Sequence, residues 1–308
     1  MTNPEQNPSP RVSLTRFAWI SIAAALITIC LKLYAYWISN SVGLLSDALE
    51  SFVNLLTAIV VLAALQISAR PPDDDFTFGY SKIEFFSSGF EGGMILLAAV
   101  GIAFTAIQRM LHPQPLEQIG LGLFISASAS LINLAVSRIL TQAGKRYNSI
   151  TLQADARHLM ADVITTAGVI VGVGLVSITR LVILDPIIAL LVAVNILFTG
   201  GRLLRQSYHG LMDISLPEPD LAKIQIILHT YEAQGIKFHA IRSRSAAARK
   251  FLSMHILVPG AWSVHHGHKI AEEIENEIRQ ELPQIAIFTH VEPIEDPVSF
   301  EDSRLEKE

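Results

Sequence analysis

Long apolar segments fill the first two-thirds of the chain, and polar turn sequences such as Ser39-Asn40-Ser41 and Pro71-Pro72-Asp73 separate them. Each apolar segment is near or above the roughly 20 residues with which an α-helix crosses a bilayer. The pattern predicts six transmembrane helices, at about 14–37, 43–68, 87–110, 116–140, 151–179 and 181–204.

The pattern changes after Arg205, where short amphipathic and alternating segments replace the long apolar runs. A helix is predicted over 221–232, and Ser263 is placed to cap a second helix that ends before Pro283. Alternation of apolar and polar residues predicts strands over 237–244, 251–258 and 285–291. The order α-β-β-α-β is typical of a small α+β domain.

Four regions follow from these patterns. Residues 1–10 form a polar, disordered tail on the cytoplasmic side, and residues 11–206 form the transmembrane domain. The soluble domain covers residues 207–295, and a charged tail covers residues 296–308.

The composition agrees with a membrane protein, because 51% of the 308 residues are hydrophobic and the mean hydropathy is positive. Lysine and arginine near the ends of the spans fall mainly on one side if both termini face the cytoplasm. We therefore expect a multi-pass protein of the cell (plasma or inner) membrane with both termini cytoplasmic. The single cysteine, Cys30, excludes an intramolecular disulfide.

Two pairs of polar residues interrupt the apolar segments at the spacing of one helical turn. Glu50 and Asn54 lie in the second segment, and His158 and Asp162 lie in the fifth. Residues at i and i+4 share a helix face, so each pair points at one spot. Ionisable groups at membrane depth are costly and mark ion paths or proton relays. Four such ligands from two helices suit a tetrahedral divalent transition metal such as zinc.

Other polar residues of the spans leave alternatives open. Asp47 either shares the ligand face or caps the second helix, and a role at the mouth of the site or behind the ligands fits it better. A single asparagine such as Asn54 also commonly serves as hydrogen-bonding glue between helices. Five more charged residues lie in or near the spans, and for them we expect snorkelling, interhelical pairing or a place at the membrane interface: Lys32, Glu84, Glu91, Asp155 and Asp185.

The last third of the chain is rich in histidine. Six histidines lie on or beside predicted strands or at the start of the second helix: His239, His255, His265, His266, His268 and His290. Glu292 lies close to His290, just after the third predicted strand. This placement predicts a second metal cluster, in which His265 and His266 are the expected bystanders.

At these residues the chain resembles the cation diffusion facilitator family of metal/proton antiporters, specifically its bacterial zinc- and iron-efflux members. The stretch from Ser41 to Ser51 resembles the family's second span, and the stretch from Ala154 to Asp162 resembles its fifth. Pro72 to Glu84 resembles the loop that enters its third span. The resemblance covers nearly the whole chain and implies six spans followed by a cytoplasmic domain of ferredoxin-like topology.

The resemblance also implies two ligand sets. The transport site would be Glu50, Asn54, His158 and Asp162, although zinc transporters of the family carry Asp or His at the position of Glu50 and Asp at that of Asn54. A cytoplasmic two-metal site would fall on His239, His255, His268, His290 and Glu292. A third, loop site would include Asp73, but Phe76 and Tyr80 replace its histidines, so we expect that site to be lost or weak.

The implied activity is export of a divalent transition metal, zinc before cadmium, cobalt, iron or manganese, in exchange for protons. No G-x-x-x-x-G-K-[ST] motif is present, so the proton gradient would supply the energy. We expect a homodimer with no organic cofactor and no nucleic-acid partner. Two alternatives are a non-transporting metal-sensing scaffold and a membrane metalloenzyme, and the absence of a nucleophile or an acid/base constellation beyond the ligands disfavours the enzyme.

Overall fold

The computed structural model describes residues 14–39, 42–112, 119–181 and 183–300, and the chain divides into two compact units, Met1–Tyr208 and His209–Glu308. The predicted tail at 1–10 lies outside the described residues, as do residues 301–308 of the predicted tail at 296–308. Within the latter, residues 297–300 form a short helical turn.

Six helices follow one another in the membrane part of the described chain. They are α1 (Thr15–Ser39), α2 (Val42–Ser68), α3 (Ile83–Leu111), α4 (Ile119–Arg146), α5 (Ile150–Thr179) and α6 (Leu184–Leu211). Several run beyond the predicted spans, most clearly α6, because backbone hydrogen bonding continues into polar turns that hydropathy does not mark.

Among the described residues, four of these helices contain a stretch that is long and apolar enough to cross a membrane. The qualifying stretches are Thr15–Tyr34, Ile83–Leu111, Phe124–Arg146 and Pro186–Leu211. Helix α2 adds a shorter apolar stretch, Asn54–Ser68, and α5 carries Asp155, Arg157 and Asp162 in its first half.

Helix α5 lies between two apolar cores of the first unit. Leu152 and Leu159 pack into a core formed with α1, α2 and α4, whereas Ala154 and Ala161 pack into a core formed with α3 and α6. Helices α3 and α6 approach closely at Gly92, where an added Cβ would lie 3.2 Å from Leu204. Small residues permit such close helix contacts in membranes. The polar face of α5 is thereby enclosed from several sides.

The second unit is a small α+β domain. It contains α7 (Glu218–Glu232), β1 (Lys237–Ala246), β2 (Arg249–Val258), α8 (Val264–Glu281) and β3 (Ile285–Pro293), in the predicted order. The sheet order is β1-β2-β3, with β1 antiparallel and β3 parallel to the central β2. The Ser263 side chain caps α8 as predicted, accepting from the backbone N–H of His266.

The domain's core fills one face of this sheet. Leu252, Met254, Ile256 and Val258 of β2 pack with apolar residues of α7 and α8. Successive side chains of a strand point to opposite faces. His255, which lies between Met254 and Ile256, therefore points to the face away from this core.

Candidate metal centres

The first candidate centre lies where α2 meets α5. His158 Nε2 lies 2.7 Å from Asn54 Oδ1, and Asn54 Nδ2 donates a hydrogen bond to an Asp162 carboxylate oxygen. His158 and Asp162 are one helical turn apart on α5, which places both side chains toward the same amide. The structure thus brings three of the four predicted ligands together from two helices.

Glu50 and Asp47 precede Asn54 on α2 by one and about two helical turns. Their side chains lie outside the described part of the structure. Their assignment as ligand and as a residue near the site's mouth stays a prediction.

The centre is shielded from water. Asn54 is 5% exposed and His158 is 4% exposed, and the second ring nitrogen of His158, Nδ1, has no hydrogen-bond partner among the described residues. A cavity of about 10 Å³ adjoins His158, Asp162 and Thr165 on the side of α3 and α6. That volume corresponds to about one water molecule.

The second candidate centre lies on the sheet face opposite the domain core. Residues His239 and His255 are paired across β1 and β2, and His255 is paired with His290 across β2 and β3. One row of three histidines therefore crosses all three strands. A bulge between His239 and Arg242 shifts the register of β1 just beyond this row.

The Glu292 carboxylate lies close to all three of these histidines. Its Oε2 lies 2.8 Å from His239 Nε2 and 3.2 Å from His255 Nδ1, and its Oε1 lies 3.5 Å from His290 Nε2. Ligand atoms of His239, His255 and Glu292 all lie within 4.8 Å of one another. Two imidazoles and a carboxylate so arranged fit a divalent transition metal.

His268 is placed differently. It opens α8 with 66% of its side chain exposed, and its Nε2 lies 3.4 Å from Glu272 one turn later on the same helix. Within the described chain, it does not join the group formed around Glu292.

The candidate loop residue Asp73 is committed to local hydrogen bonds. The Tyr80 hydroxyl donates to Asp73 Oδ2, and the Phe76 backbone N–H donates to Oδ1 at 2.8 Å. The Tyr80 hydrogen bond is the main cause that lowers the pKa of Asp73. Both carboxylate oxygens thus accept hydrogen bonds within the loop, and the loss or weakness of the loop site stays a prediction.

Three buried acids lie outside the predicted ligand sets: Glu84 and Glu91 of α3 are 0% exposed, and Asp155 of α5 is 1% exposed. Of the alternatives expected for them, burial agrees with pairing between helices, which Glu84 makes with Ser149 just before α5. The sequence carries one signal for this burial, because four residues recur on one face of α3 at helical spacing: Glu84, Ser88, Glu91 and Ile95. Hydropathy alone does not identify which face of a membrane helix is enclosed by its neighbours.

The comparisons with known proteins agree with this architecture. Residues 18–212 match the cation efflux transmembrane domain family, and residues 216–294 match the cation efflux protein cytoplasmic domain family. An uncharacterized transporter of Synechocystis is 49% identical over 285 residues, which is 92% of each chain.

More distant relatives cover similar lengths. The cation-efflux pump FieF of Pectobacterium atrosepticum is 26% identical over 94% of this chain and 95% of its own. Protein p34 of Rickettsia rickettsii is 26% identical over 92% of this chain and 94% of its own. The chain is therefore a multi-pass membrane protein that belongs to the cation diffusion facilitator family of cation-efflux transporters.

Proposed function

We propose that this transporter exports a divalent transition metal, zinc first, from the cytoplasm in exchange for protons. The transport site would be formed by Glu50, Asn54, His158 and Asp162. The convergence of Asn54, His158 and Asp162 from two helices inside the membrane domain carries this proposal.

The hydrogen bonds of the centre indicate how a cation would enter. Asn54 Oδ1 accepts from His158 Nε2–H, while the Asn54 amide donates to Asp162. These bonds satisfy polar groups that water does not reach. A metal ion needs the lone pairs of the carboxylate and imidazole, so it would replace these contacts and require a deprotonated imidazole nitrogen.

Charge balance favours a divalent ion. Glu50 and Asp162 would be the two anions of the site, while Asn54 and a neutral His158 would supply uncharged ligands. A doubly charged cation is then neutralised in a medium where net charge is costly. Protons that arrive from the outer side would compete the metal off and complete the exchange.

The second domain would hold a resident metal of the same class. His239, His255 and Glu292 would bind it, with His290 beside them, and the metal would bridge β1 and β3 through ligands from all three strands. We propose that this ferredoxin-like domain pairs with that of a second copy, so that metal binding biases the membrane domains of a homodimer. Six spans with both termini in the cytoplasm complete the proposed arrangement.

Transport into sealed vesicles tests the proposal. Purified protein would be reconstituted with a metal-sensitive dye inside and a pH gradient across the membrane, and given zinc, cadmium, cobalt, iron, manganese or nickel in turn. We expect zinc uptake that stops when a protonophore collapses the gradient. Metal binding without uptake of any of the six ions would contradict transport and favour the metal-sensing scaffold.

A further inference from the structure

Two buried carboxyl groups near the transport site have carboxylate oxygens that no hydrogen bond within the described chain satisfies. Neither carboxylate oxygen of Glu91 has a partner among the described residues, and the same holds for Oδ2 of Asp155 and for the nearby Ser87 hydroxyl. Glu91 and Asp155 are close enough for their charges to interact.

Helix geometry places Glu91 level with the transport site. The Thr151 hydroxyl of α5 donates to the Glu84 backbone oxygen of α3, so the two helices are aligned at this point. Glu91 lies seven residues beyond Glu84, and His158 lies seven residues beyond Thr151, which is about 10 Å along each axis. One turn after Glu91, Ile95 lines the cavity that His158 and Asp162 also line.

Glu84 shows how the same helix face satisfies a buried carboxylate. Glu84 is also 0% exposed, but Ser149 donates to its Oε2 at 2.7 Å and Ser68 lies 3.4 Å from its Oε1. Beside Glu91 the described chain offers the Ser87 hydroxyl, one turn earlier on α3, but the two groups are not within hydrogen-bonding geometry. Of two buried acids seven residues apart, one therefore accepts hydrogen bonds from serine hydroxyls, and the other has two carboxylate oxygens that no described residue satisfies.

The charged groups around Glu91 do not compensate it. On α5, Asp155 adds a like charge, and Arg157 is directed to Gln206 of α6 at 3.1 Å. Asp155 in turn interacts with Ser21 of α1 and with the charges of His158 and Asp162. Two carboxylates that share a site without water cannot both be ionised cheaply.

We propose that Glu91 and Asp155 share one proton while the transport site is empty and release it when metal binds. The pair would be a second proton-exchange site that touches no metal, a role that rests on the proposed function. While the pair of carboxyls holds the shared proton, it carries one negative charge. When that proton passes to water, the pair carries two negative charges. A divalent ion at the same level of the neighbouring helix would lie roughly 10 Å away, the usual spacing of packed helices, and would weaken proton binding by on the order of tenfold or more at an effective dielectric constant near 20.

Proton release on zinc binding tests this site directly. Full-length protein in weakly buffered detergent would be titrated with zinc while a pH indicator counts the protons released per ion bound. We expect Glu91→Gln to release about one proton fewer than the wild type and to keep its zinc affinity within about tenfold, because glutamine mimics the neutral acid. Glu84→Gln is the matched control, with unchanged proton release.

Asp155→Asn is a second test of the shared proton. It should also lower the number of protons released per zinc ion by about one. The double variant should lower that number no further than either single variant, because the two carboxyls share one proton. Unchanged release in Glu91→Gln would overturn the proposal, as would two protons lost in the double variant or a folded Glu91→Gln protein that no longer binds zinc. A wild type that releases protons on binding but transports nothing into vesicles would refute the proposed function and leave this measurement standing.

Discussion

The two candidate metal centres use the same chemistry in opposite surroundings. In the membrane centre, His158 and Asp162 lie one helical turn apart and both contact Asn54. In the sheet centre, His239 and His255 are paired on neighbouring strands and both contact Glu292. His158 is almost fully buried, while the side chains of His239 and His255 remain 24% and 21% exposed. The histidines of the second set are therefore more accessible to water than His158.

This difference bears on what each centre can do. Where water is absent, the empty site must satisfy its own polar groups, so metal must exchange with protons and internal hydrogen bonds. Where water is present, solvent can replace the ion at little cost, and binding need not be tied to proton movement. The membrane centre is suited to moving ions and the sheet centre to holding them.

The largest expected effect comes from the membrane centre. His158→Ala or Asp162→Ala should lower zinc uptake into vesicles at least about 100-fold, because each variant removes a ligand and leaves its neighbours unpaired. The exposed amide of α6, Asn195, supplies the control, and Asn195→Ala should transport normally. Both loss variants should still purify as dimers. Normal uptake by both would remove these residues from the transport site.

Substitutions in the sheet centre should lower zinc affinity more than they lower transport. Glu292→Ala removes the carboxylate that three histidines approach, so zinc affinity of the isolated domain at 209–308 should fall about 100-fold. Glu232→Ala is the matched control, because Glu232 pairs with one histidine, His229, at 2.6 Å. Calorimetry on the purified domain measures both. A native domain that binds zinc more weakly than micromolar would make this cluster a surface feature.

The sequence predicts these centres unequally, for physical reasons. Helical pairs such as His158 and Asp162 are readable because i and i+4 always share a face. The row of histidines across the sheet depends on pairing between distant strands and on the bulge after His239, neither of which leaves a local signal. The direction of His268 and the burial of Glu91 depend on neighbouring elements, so residue type and spacing could not fix them.

Asn54 offers a way to sharpen the contrast between the centres. In Asn54→Asp, two carboxylates would face each other where the amide now donates to Asp162. The empty site would then retain a proton, and the metal-bound site would gain a negative charge. We expect about tenfold tighter zinc binding and a steeper pH dependence of uptake between about pH 6 and 8, around the histidine reference value. Identical affinity and pH profiles would make Asn54 a helix–helix contact instead.

The smallest expected effect separates the stability of the second domain from its metal chemistry. Burial, together with a 2.9 Å hydrogen bond from the Tyr231 hydroxyl to Glu277, raises the pKa of Tyr231 to about 12. An unfolded tyrosine loses its proton near pH 10, so this contribution to stability is complete below that pH and declines as the pH rises to about 12.

Tyr231→Phe should therefore lower the free energy of unfolding of the metal-free domain by about 1 kcal/mol at neutral pH. It should also flatten the alkaline decline, since the variant has no phenol to titrate. Urea unfolding of the two domains between pH 8 and 11 measures both effects. Tyr231 lies in the core between sheet and helices, whereas the metal cluster occupies the opposite face of the sheet, so zinc affinity at neutral pH should not change. A parallel loss of zinc affinity in Tyr231→Phe would mean that the two faces of the sheet are coupled. The stability of the domain and its zinc affinity would then not be independent.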